Sequence, residues 1–245
     1  MSKTIVITGA GAGLGRAVAR RLAADGDTLI LLGRTLAKVE ELATELGAPH
    51  YAVECDVSDP ESVRRAFATI SARTSRIDVL VNNAAVFEPF TLAAASDAQI
   101  LSHLMINLAG PLFCSREALP LFNGRGHIIN VSSESVHLRM RMLWMYAATK
   151  AGLEFASETL ARELEADNVR VTVVRAGQMM DETKTAPGWP MDVAVRFAQE
   201  NAAIGLNLRE RPISHYDSVA AVFRQVIDSP HDLHIGAVHL SARRP

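Results

Sequence analysis

The sequence predicts a doubly wound α/β fold, a single domain over residues 1–245 with a parallel seven-stranded sheet and helices on both faces. Three observations predict it. Short runs rich in Val, Ile and Leu alternate with longer Ala-rich amphipathic stretches from residue 3 to about residue 175, as in consecutive βαβ units. Most strand candidates are continuously apolar, which indicates that helices cover both faces of the sheet. The composition, 49% hydrophobic, supplies enough apolar surface for a core without disulfides or metals.

The predicted elements follow this alternation in chain order, and a doubly wound topology gives the strands the order 3-2-1-4-5-6-7. The Gly110-Pro111 pair falls inside the fourth helix and predicts a kink or a break there, because proline lacks the N–H that a helix interior needs. The strand candidates are 4–8, 28–32, 50–54, 79–82, 126–131, 169–174 and 237–240. The helices are expected over about 14–24, 35–46, 59–74, 96–119, 145–166 and 216–228.

The alternation lapses between about residues 178 and 212. This segment contains the turn-forming cluster Pro187-Gly188-Trp189-Pro190 and then a helical stretch near 191–203. A long excursion at this place is more typical of a lid or substrate loop than of a part of the sheet. We therefore expect it to cover the substrate.

Charge and cysteine usage exclude several functional classes. The 25 basic and 27 acidic residues give a net charge of −2, so no global charge attracts nucleic acid or an anionic membrane. A strand candidate begins directly after residue 3 and no apolar run reaches about 18 residues, which favours a cytoplasmic protein without a secretory signal or membrane helix. Cys55 and Cys114 belong to no metal-binding spacing, and we expect two buried small hydrophobic residues and no metal site.

The segment immediately after the first strand is rich in glycine and leads into a helix. Glycines let backbone amides approach a phosphate, and the helix N-terminus adds free N–H groups and a positive dipole end. The GxGxxG register is not met, because Leu14 stands where a third glycine would be needed. Taken alone, an anion site and a tight β-to-α turn are equally good interpretations. The residues concerned are Thr8, Gly9, Ala10, Gly11, Ala12, Gly13, Leu14 and Gly15.

The same segment matches the pattern TGxxxGxG, and five further motifs follow it in order, each on the expected element. With these motifs the sequence resembles the short-chain dehydrogenase/reductase family over residues 4 to about 177. The motifs are Asp56-Val57 after the third strand, Asn82-Asn83-Ala84-Ala85 after the fourth, Asn107 in the fourth helix, Ser133 after the fifth strand, and the YxxxK sequence of Tyr146 and Lys150.

The resemblance implies a Rossmann-type site for a nicotinamide dinucleotide and a set of residues around it. The implied catalytic residues are Asn107, Ser133, Tyr146 and Lys150. The implied cofactor-binding residues, together with Arg34 discussed below, are Thr8, Gly9, Gly11, Gly13, Leu14, Gly15, Asp56, Val57, Asn83, Ala84, Tyr146, Lys150 and Gly177.

The chemistry of the YxxxK pair follows from its spacing. Tyr146 and Lys150 share one helix face, and an ammonium within roughly 4 to 6 Å favours a phenolate and lowers the phenol pKa from about 10. Such a phenol can donate a proton to a carbonyl that receives hydride, or accept one from an alcohol. Ser133, at the carboxyl end of a strand, can hold the substrate oxygen. The resemblance adds that Lys150 binds the nicotinamide ribose and that Asn107 holds a water in a proton relay.

Three positions depart from the family pattern. Ala85 replaces a glycine, and Ala176 replaces the proline before Gly177. The threonine expected four residues after that glycine is Asp181, with Thr183 as a substitute two residues later. The C-terminus also lacks the Gly-Gly segment that is common in the family.

The stretch between Ser133 and Tyr146 is expected to pass near the substrate, because both of its ends are catalytic. Its methionines, with Leu143 and Trp144, suggest an adaptable apolar wall. Core packing or a subunit contact is an equally good interpretation. The methionines are Met140, Met142 and Met145.

The end of the second strand favours NADP(H), with NAD(H) as the alternative. An NAD site usually carries an acidic residue there for the ribose 2′-hydroxyl, whereas no acidic residue occurs between Leu29 and Lys38. Gly33 stands where an aspartate would repel a 2′-phosphate, and the neighbouring Arg34 offers a planar cation. A solvated Arg34 in an indifferent enzyme is the competing interpretation.

The function that these residues indicate is hydride transfer between NADP(H) or NAD(H) and a small-molecule carbonyl or secondary alcohol, with Tyr146 as general acid and base. The alternative is a non-catalytic dinucleotide sensor on the same fold, because a fold does not by itself give an activity. A sensor need not retain a complete proton-transfer set. The resemblance also implies a homodimer or homotetramer through the helices near 96–119 and 145–166, while the substrate stays open.

Overall fold

A computed structural model describes residues 2–181 and 188–243. Seven of its strands form one parallel sheet, and two short strands pair separately. The strands are β1 (Thr4–Thr8), β2 (Thr28–Gly33), β3 (Tyr51–Glu54), β4 (Val79–Asn82), β5 (Gly126–Ser133), β6 (Val169–Ala176), β7 (Met179–Met180), β8 (Ser214–His215) and β9 (Ala237–His239).

The large sheet has the order β3-β2-β1-β4-β5-β6-β9, and every neighbouring pair is parallel. The predicted fold and strand order are therefore confirmed. The helices around the sheet are α1 (Gly13–Ala24), α2 (Leu36–Leu46), α3 (Pro60–Ser71), α4 (Asp97–Leu104), α5 (Gly110–Ala118), α6 (Ser135–Leu138), α7 (Trp144–Glu163), α8 (Met191–Ala202) and α9 (Tyr216–Ile227).

The apolar strands are buried on both faces, as their continuous hydrophobicity predicts. In β1, Ile5 and Ile7 belong to the core under α1, α2 and α9, while Val6 between them belongs to the core under α3 and α5. All three side chains are fully buried. This two-sided burial holds the carboxyl ends of the strands at one edge of the sheet, where open α/β sheets bind ligands.

Two strands of the sheet, β5 and β6, run further toward that edge than the sequence predicts. β5 continues two residues past the predicted end to Ser133, and β6 likewise reaches Ala176. Their ladders pair Ser132 with Arg175 and Ser133 with Ala176. An apolar pattern does not predict these last residues as strand, because Ser132 and Arg175 are polar. The hydrogen bonds between β5 and β6 hold them extended.

The predicted break near Gly110-Pro111 takes the form of a π-helical turn. α4 ends at Leu104, residues Met105–Ala109 form the π turn, and α5 begins at Gly110. Pro111 has no N–H to donate to the carbonyl of Asn107 four residues earlier, so the α-helical ladder cannot pass through this point. The turn places Asn107 at the centre of the irregular segment.

The segment expected to form a lid carries structure of its own. β7 and β8 form a two-stranded parallel pair at its two ends, and α8 lies between them. The carboxylate of Glu134, directly after β5, accepts a hydrogen bond from the Gln178 N–H at 3.0 Å and forms a salt bridge with Arg211. Both ends of the segment are thus fastened beside the end of β5. The proposed substitute Thr183 lies outside the described residues.

Within residues 2–181 and 188–243, no helix is long and apolar enough to cross a membrane. No cluster of three His, Cys, Asp or Glu side chains in that part of the chain could hold a metal ion.

Candidate active site

The glycine-rich loop turns sharply between β1 and α1. Gly9 and Gly13 have φ values of +65° and +52°, a region that favours glycine. A Cβ on Gly15 would lie 2.4 Å from the Gly9 carbonyl oxygen, so that position has no room for a side chain. Ala12 supplies no side-chain cap to α1. The N–H groups of the first turn are therefore left to an anion, which fits a dinucleotide diphosphate.

Thr8 and Asn83 hold this loop against the end of β4. The Thr8 hydroxyl accepts hydrogen bonds from the N–H groups of Asn83 at 3.0 Å and Ala84 at 3.1 Å. The Asn83 amide donates back to the carbonyls of Thr8 at 3.0 Å and Gly9 at 3.2 Å. Thr8 is buried, and its contacts assign it to shaping the loop.

A cavity of about 950 Å³ lies at the carboxyl edge of the sheet and joins the loop to the YxxxK pair. Twelve of the sequence-predicted site residues line it. The four that do not are Thr8, Gly11, Gly15 and Asn107. The twelve are Gly9, Gly13, Leu14, Arg34, Asp56, Val57, Asn83, Ala84, Ser133, Tyr146, Lys150 and Gly177.

Ser133 is the last residue of β5, while Tyr146 and Lys150 lie in the first two turns of α7. These three side chains come together because α7 packs against β5. The Lys150 ammonium lies 5.8 Å from the centre of the Tyr146 ring and donates a hydrogen bond of 2.7 Å to the Val131 carbonyl. The Ser133 hydroxyl accepts the Ser135 N–H at 3.1 Å. One wall of the cavity thus carries a hydroxyl, a phenol and an ammonium.

The electrostatics of this wall differ from the expectation in one respect. Burial raises the pKa of Tyr146 to about 12, against the opposing influence of Ser133, so the expected lowering of this pKa by Lys150 is wrong for the chain alone. Burial also lowers the pKa of Lys150 to about 8. At neutral pH the phenol is therefore protonated and able to donate a proton.

Asn107 is fully buried in the π turn and faces the segment after β4. Its side-chain oxygen accepts the Val86 N–H at 2.8 Å, and its amide donates to the Val86 carbonyl at 2.9 Å. The amide also lies 3.3 Å from the Thr149 hydroxyl, on the helix that carries Tyr146 and Lys150. Asn107 thereby ties α7 to the loop that borders the cavity.

Glu154 is a charged neighbour of the site that the sequence analysis missed. It lies one turn after Lys150 on α7, is 8% exposed, and forms a salt bridge with Arg175 on β6. The Ser132 hydroxyl donates to it as well. Its negative charge raises the pKa of Lys150, in opposition to burial. The i, i+4 spacing from Lys150 was a readable signal for this contact.

Two other residues near the loop also escaped the sequence analysis. Tyr216 lines the cavity, and its hydroxyl lies 3.5 Å from where a Cβ on Gly13 would be. Lys38 packs over the loop, with its Cβ 3.0 Å from the equivalent position on Gly11. Tyr216 is about 200 residues away in sequence and reaches the loop only because α9 packs beside α1.

Arg34 lines the far end of the cavity at the end of β2. Its side chain is exposed, and within residues 2–181 and 188–243 it forms no salt bridge or hydrogen bond. Lys38, in the first turn of α2, is exposed as well, and its side chain has no such partner in the same part of the chain. Arg34 therefore borders the cavity next to Gly33, and Lys38 is a second exposed cation four residues further along the chain.

A cavity at the carboxyl edge of a doubly wound sheet, beside a glycine-rich turn, defines a dinucleotide-binding α/β protein. The family model for short chain dehydrogenase matches residues 3–189. The chain therefore belongs to the short-chain dehydrogenase/reductase family and is an oxidoreductase.

Individual relatives agree with this assignment. The chain is 32% identical over 245 residues to serine 3-dehydrogenase of Agrobacterium fabrum (strain C58 / ATCC 33970), covering 98% of this chain and 94% of that protein. It is 37% identical over 180 residues to the short-chain type dehydrogenase/reductase y4vI of Sinorhizobium fredii (strain NBRC 101917 / NGR234), a match over 72% of this chain but only 32% of the relative. A metagenomic short-chain oxidoreductase solved in complex with NADP superimposes with a TM-score of 0.80, at 26% identity, over 99% of this chain and 98% of that one.

Proposed function

We propose that the protein transfers hydride between NADP(H) and a carbonyl or secondary alcohol, with Tyr146 as general acid and base. One observation carries the proposal: Ser133, Tyr146 and Lys150 line the same cavity as the glycine-rich loop. A proton-transfer group and a glycine-rich loop that could bind a diphosphate thereby share one cavity. A purely dinucleotide-sensing protein has no use for that combination.

The residues around the cavity divide the work of binding and catalysis. The uncapped first turn of α1 receives the diphosphate, and Lys150 binds the nicotinamide ribose while its charge lies near the phenol. When bound, the reduced nicotinamide supplies the hydride. Ser133 holds the carbonyl oxygen, and Tyr146 donates its proton to that oxygen as the C–H bond forms. In the oxidative direction Tyr146 accepts the alcohol proton instead.

The proposed preference for NADP(H) rests on the two cations beside Gly33. A 2′-phosphate adds an anion at the adenosine ribose, which would suit Arg34 in the cavity lining and the exposed Lys38 nearby on α2. Any side chain at residue 33 would meet Val39, since a Cβ there would lie 2.8 Å from the Val39 Cγ1 atom. The packing therefore disfavours an acidic residue at the position where an NAD site would place one.

The test of the catalytic assignment is Tyr146→Phe. Its turnover with any carbonyl that the wild type reduces should fall at least about a hundredfold, the usual contribution of a positioned general acid. Its dissociation constant for NADPH, measured by calorimetry, should stay within about twofold. Tyr51→Phe, which changes a tyrosine on β3, serves as the control. Wild-type turnover in Tyr146→Phe would refute the role of Tyr146.

Lys150→Ala should reduce both turnover and NADPH affinity, because one ammonium serves the ribose and the phenol. A loss of turnover with unchanged affinity would refute the ribose contact. The remaining site residues retain the roles that the family resemblance implies, including Asp56 and Val57 toward the adenine and Asn107 toward a relay water.

We also propose that residues 1–245 act as one catalytic unit, with the segment 178–212 over the substrate, and that the chain forms a homodimer or homotetramer. Apolar side chains on the two helices implied in assembly support the second point, because Leu101 on α4 and Phe155 on α7 are 57% and 74% exposed. Light scattering on the wild type and on Phe155→Glu would test it. A monomeric wild type would refute it.

A further inference from the structure

A row of aromatic rings runs from the proposed catalytic phenol toward α8. The Phe87 ring meets Tyr146 edge-on, with centroids 5.0 Å apart, and lies 4.8 Å from the ring of Trp189. Trp189 in turn packs at 5.3 Å against Phe197. We call Phe87, Trp189 and Phe197 the aromatic wall. All three line the cavity.

The aromatic wall offers a ligand an apolar surface without free hydrogen-bonding groups on its side chains. The single polar atom of the wall's side chains, the Trp189 indole N–H, already donates a hydrogen bond of 3.0 Å to the Phe87 carbonyl. Phe87 is 40% exposed, a large apolar ring left facing open space. Covering such a ring is favourable by the hydrophobic effect, and ring-to-ring contacts add to it.

The segment between Ser133 and Tyr146 completes this end of the cavity with more apolar side chains. Met140 and Leu143 line the cavity, and Leu143 packs with Phe197 in a small apolar cluster. An unbranched methionine adapts its shape to different apolar ligands. Two residues of the expected apolar wall, Met140 and Leu143, therefore lie beside the aromatic wall. Trp144, Met142 and Met145 do not line the cavity, and both methionines are buried in the core.

The charged side chains at this end are either paired or exposed. The Glu134 carboxylate is engaged by Arg211 and by the Gln178 N–H. Arg209 lines the cavity, but its side chain is exposed to solvent. A ligand ammonium or a series of ligand hydroxyls would lose water here without gaining equivalent partners, which is costly.

We propose that the substrate is a ketone bearing an aryl or bulky alkyl group, or the corresponding secondary alcohol. The apolar group lies against the aromatic wall while the oxygen reaches Tyr146. This proposal rests on the proposed function and selects one substrate class within it. It sets the chain apart from relatives whose names specify serine or D-xylose.

The first experiment compares three alcohols as substrates of the wild-type protein with NADP⁺: 1-phenylethanol, D-xylose and L-serine. The value of kcat/KM for 1-phenylethanol should exceed both others by at least about tenfold, because binding buries its phenyl ring against the aromatic wall. A polar substrate used as well as 1-phenylethanol, or no turnover of 1-phenylethanol, overturns the substrate class. Neither result bears on Tyr146, whose role stands or falls with Tyr146→Phe on whichever substrate is turned over.

The second experiment removes the wall. Trp189→Ala should raise KM for 1-phenylethanol at least about fivefold and leave the dissociation constant for NADP⁺ within twofold, whereas Trp189→Phe should retain most of the wild-type KM because it keeps a ring. Met191→Ala is the matched control, since Met191 begins α8 two residues later and is 78% exposed. Unchanged KM in Trp189→Ala overturns the proposal.

A binding measurement gives a readout independent of turnover. In Trp144→Phe the remaining tryptophan is Trp189, and its fluorescence reports on the wall directly. Benzamide, an aryl carbonyl compound that is not reduced, should change this fluorescence saturably in the NADP⁺ complex, and xylitol at the same concentration should not. An equal response to xylitol, or none to benzamide, overturns the aryl assignment.

Discussion

Glu154 lies one helical turn beyond Lys150 and holds the ammonium more basic than burial alone would leave it. Burial lowers the pKa of Lys150 to about 8, and the Glu154 charge opposes that shift. The salt bridge with Arg175 keeps the pKa of the Glu154 carboxyl below its usual range. Glu154 is therefore negatively charged at all working pH values. The Glu154 carboxylate and its partner Arg175 therefore lie behind the Lys150 ammonium and influence its pKa.

The first prediction is that Glu154→Gln moves the alkaline limb of the pH–rate profile to lower pH. Loss of the negative charge lets burial lower the pKa of Lys150 further, so the ammonium is lost at a lower pH than in the wild type. The measurement is kcat against pH from 6 to 10. Glu158→Gln, an exposed change one turn further along α7, is the control. Superimposable profiles for Glu154→Gln and the wild type would contradict this coupling.

The fold was predictable because each strand carries a continuous apolar run that the two-sided burial in the structure explains. The short elements were not. The two-residue strands β7 and β8 are held by pairing with each other and by Glu134, and no periodicity marks them. The four-residue helix α6 is similarly too short to leave a pattern.

The candidate site likewise contains residues that the sequence predicts and residues that it does not. Ser133, Tyr146 and Lys150 could be placed from spacing and strand ends, because local geometry brings them together. The position of Tyr216 over the glycine-rich loop could not be predicted, since it depends on the packing of α9 beside α1. The raised pKa of Tyr146 could not be predicted from the sequence either. Its main cause is the burial of the phenol, which depends on the tertiary structure.

The second prediction contrasts two glycines. Gly15→Ala should raise the dissociation constant for NADPH at least about tenfold, because its Cβ would fall 2.4 Å from the Gly9 carbonyl oxygen and push the loop apart. Gly152→Ala in α7 should bind NADPH normally and gain up to about 1 kcal/mol in unfolding free energy, since its Cβ would make an ordinary 3.5 Å contact with Leu108. Calorimetry and urea unfolding measure both effects, and tight binding by Gly15→Ala would count against the loop's role.

The third prediction concerns acid stability and His127. This buried residue meets the Thr172 hydroxyl at 2.8 Å, and burial lowers its pKa to about 3. The unfolded state takes up a proton near pH 6.5 while the folded state does not, so unfolding free energy falls as pH decreases from about 6.5 toward 3. Between pH 7.5 and 5 this one group should cost about 2 kcal/mol, at 1.36 kcal/mol per pKa unit.

His127→Gln should lose that part of the pH dependence in urea unfolding. His137→Gln, which changes an exposed histidine, should retain it. Equal pH dependence in His127→Gln and the wild type would mean that His127 is not the group responsible.

The last prediction tests the cofactor preference. Arg34→Ala should weaken NADPH binding by roughly ten- to a hundredfold, because a charge-assisted hydrogen bond is worth about 1.5 to 3 kcal/mol, and should leave NADH nearly unchanged. Lys38→Ala should act in the same direction, since Lys38 carries an exposed cation and packs against Gly11 of the glycine-rich loop. Arg65→Ala, whose side chain is 70% exposed on α3, is the matched control for losing one positive charge. Titrations with both dinucleotides at fixed ionic strength separate the outcomes. Equal losses for NADPH and NADH would place Arg34 away from the 2′-phosphate, and a wild-type preference for NADH would overturn the assignment altogether.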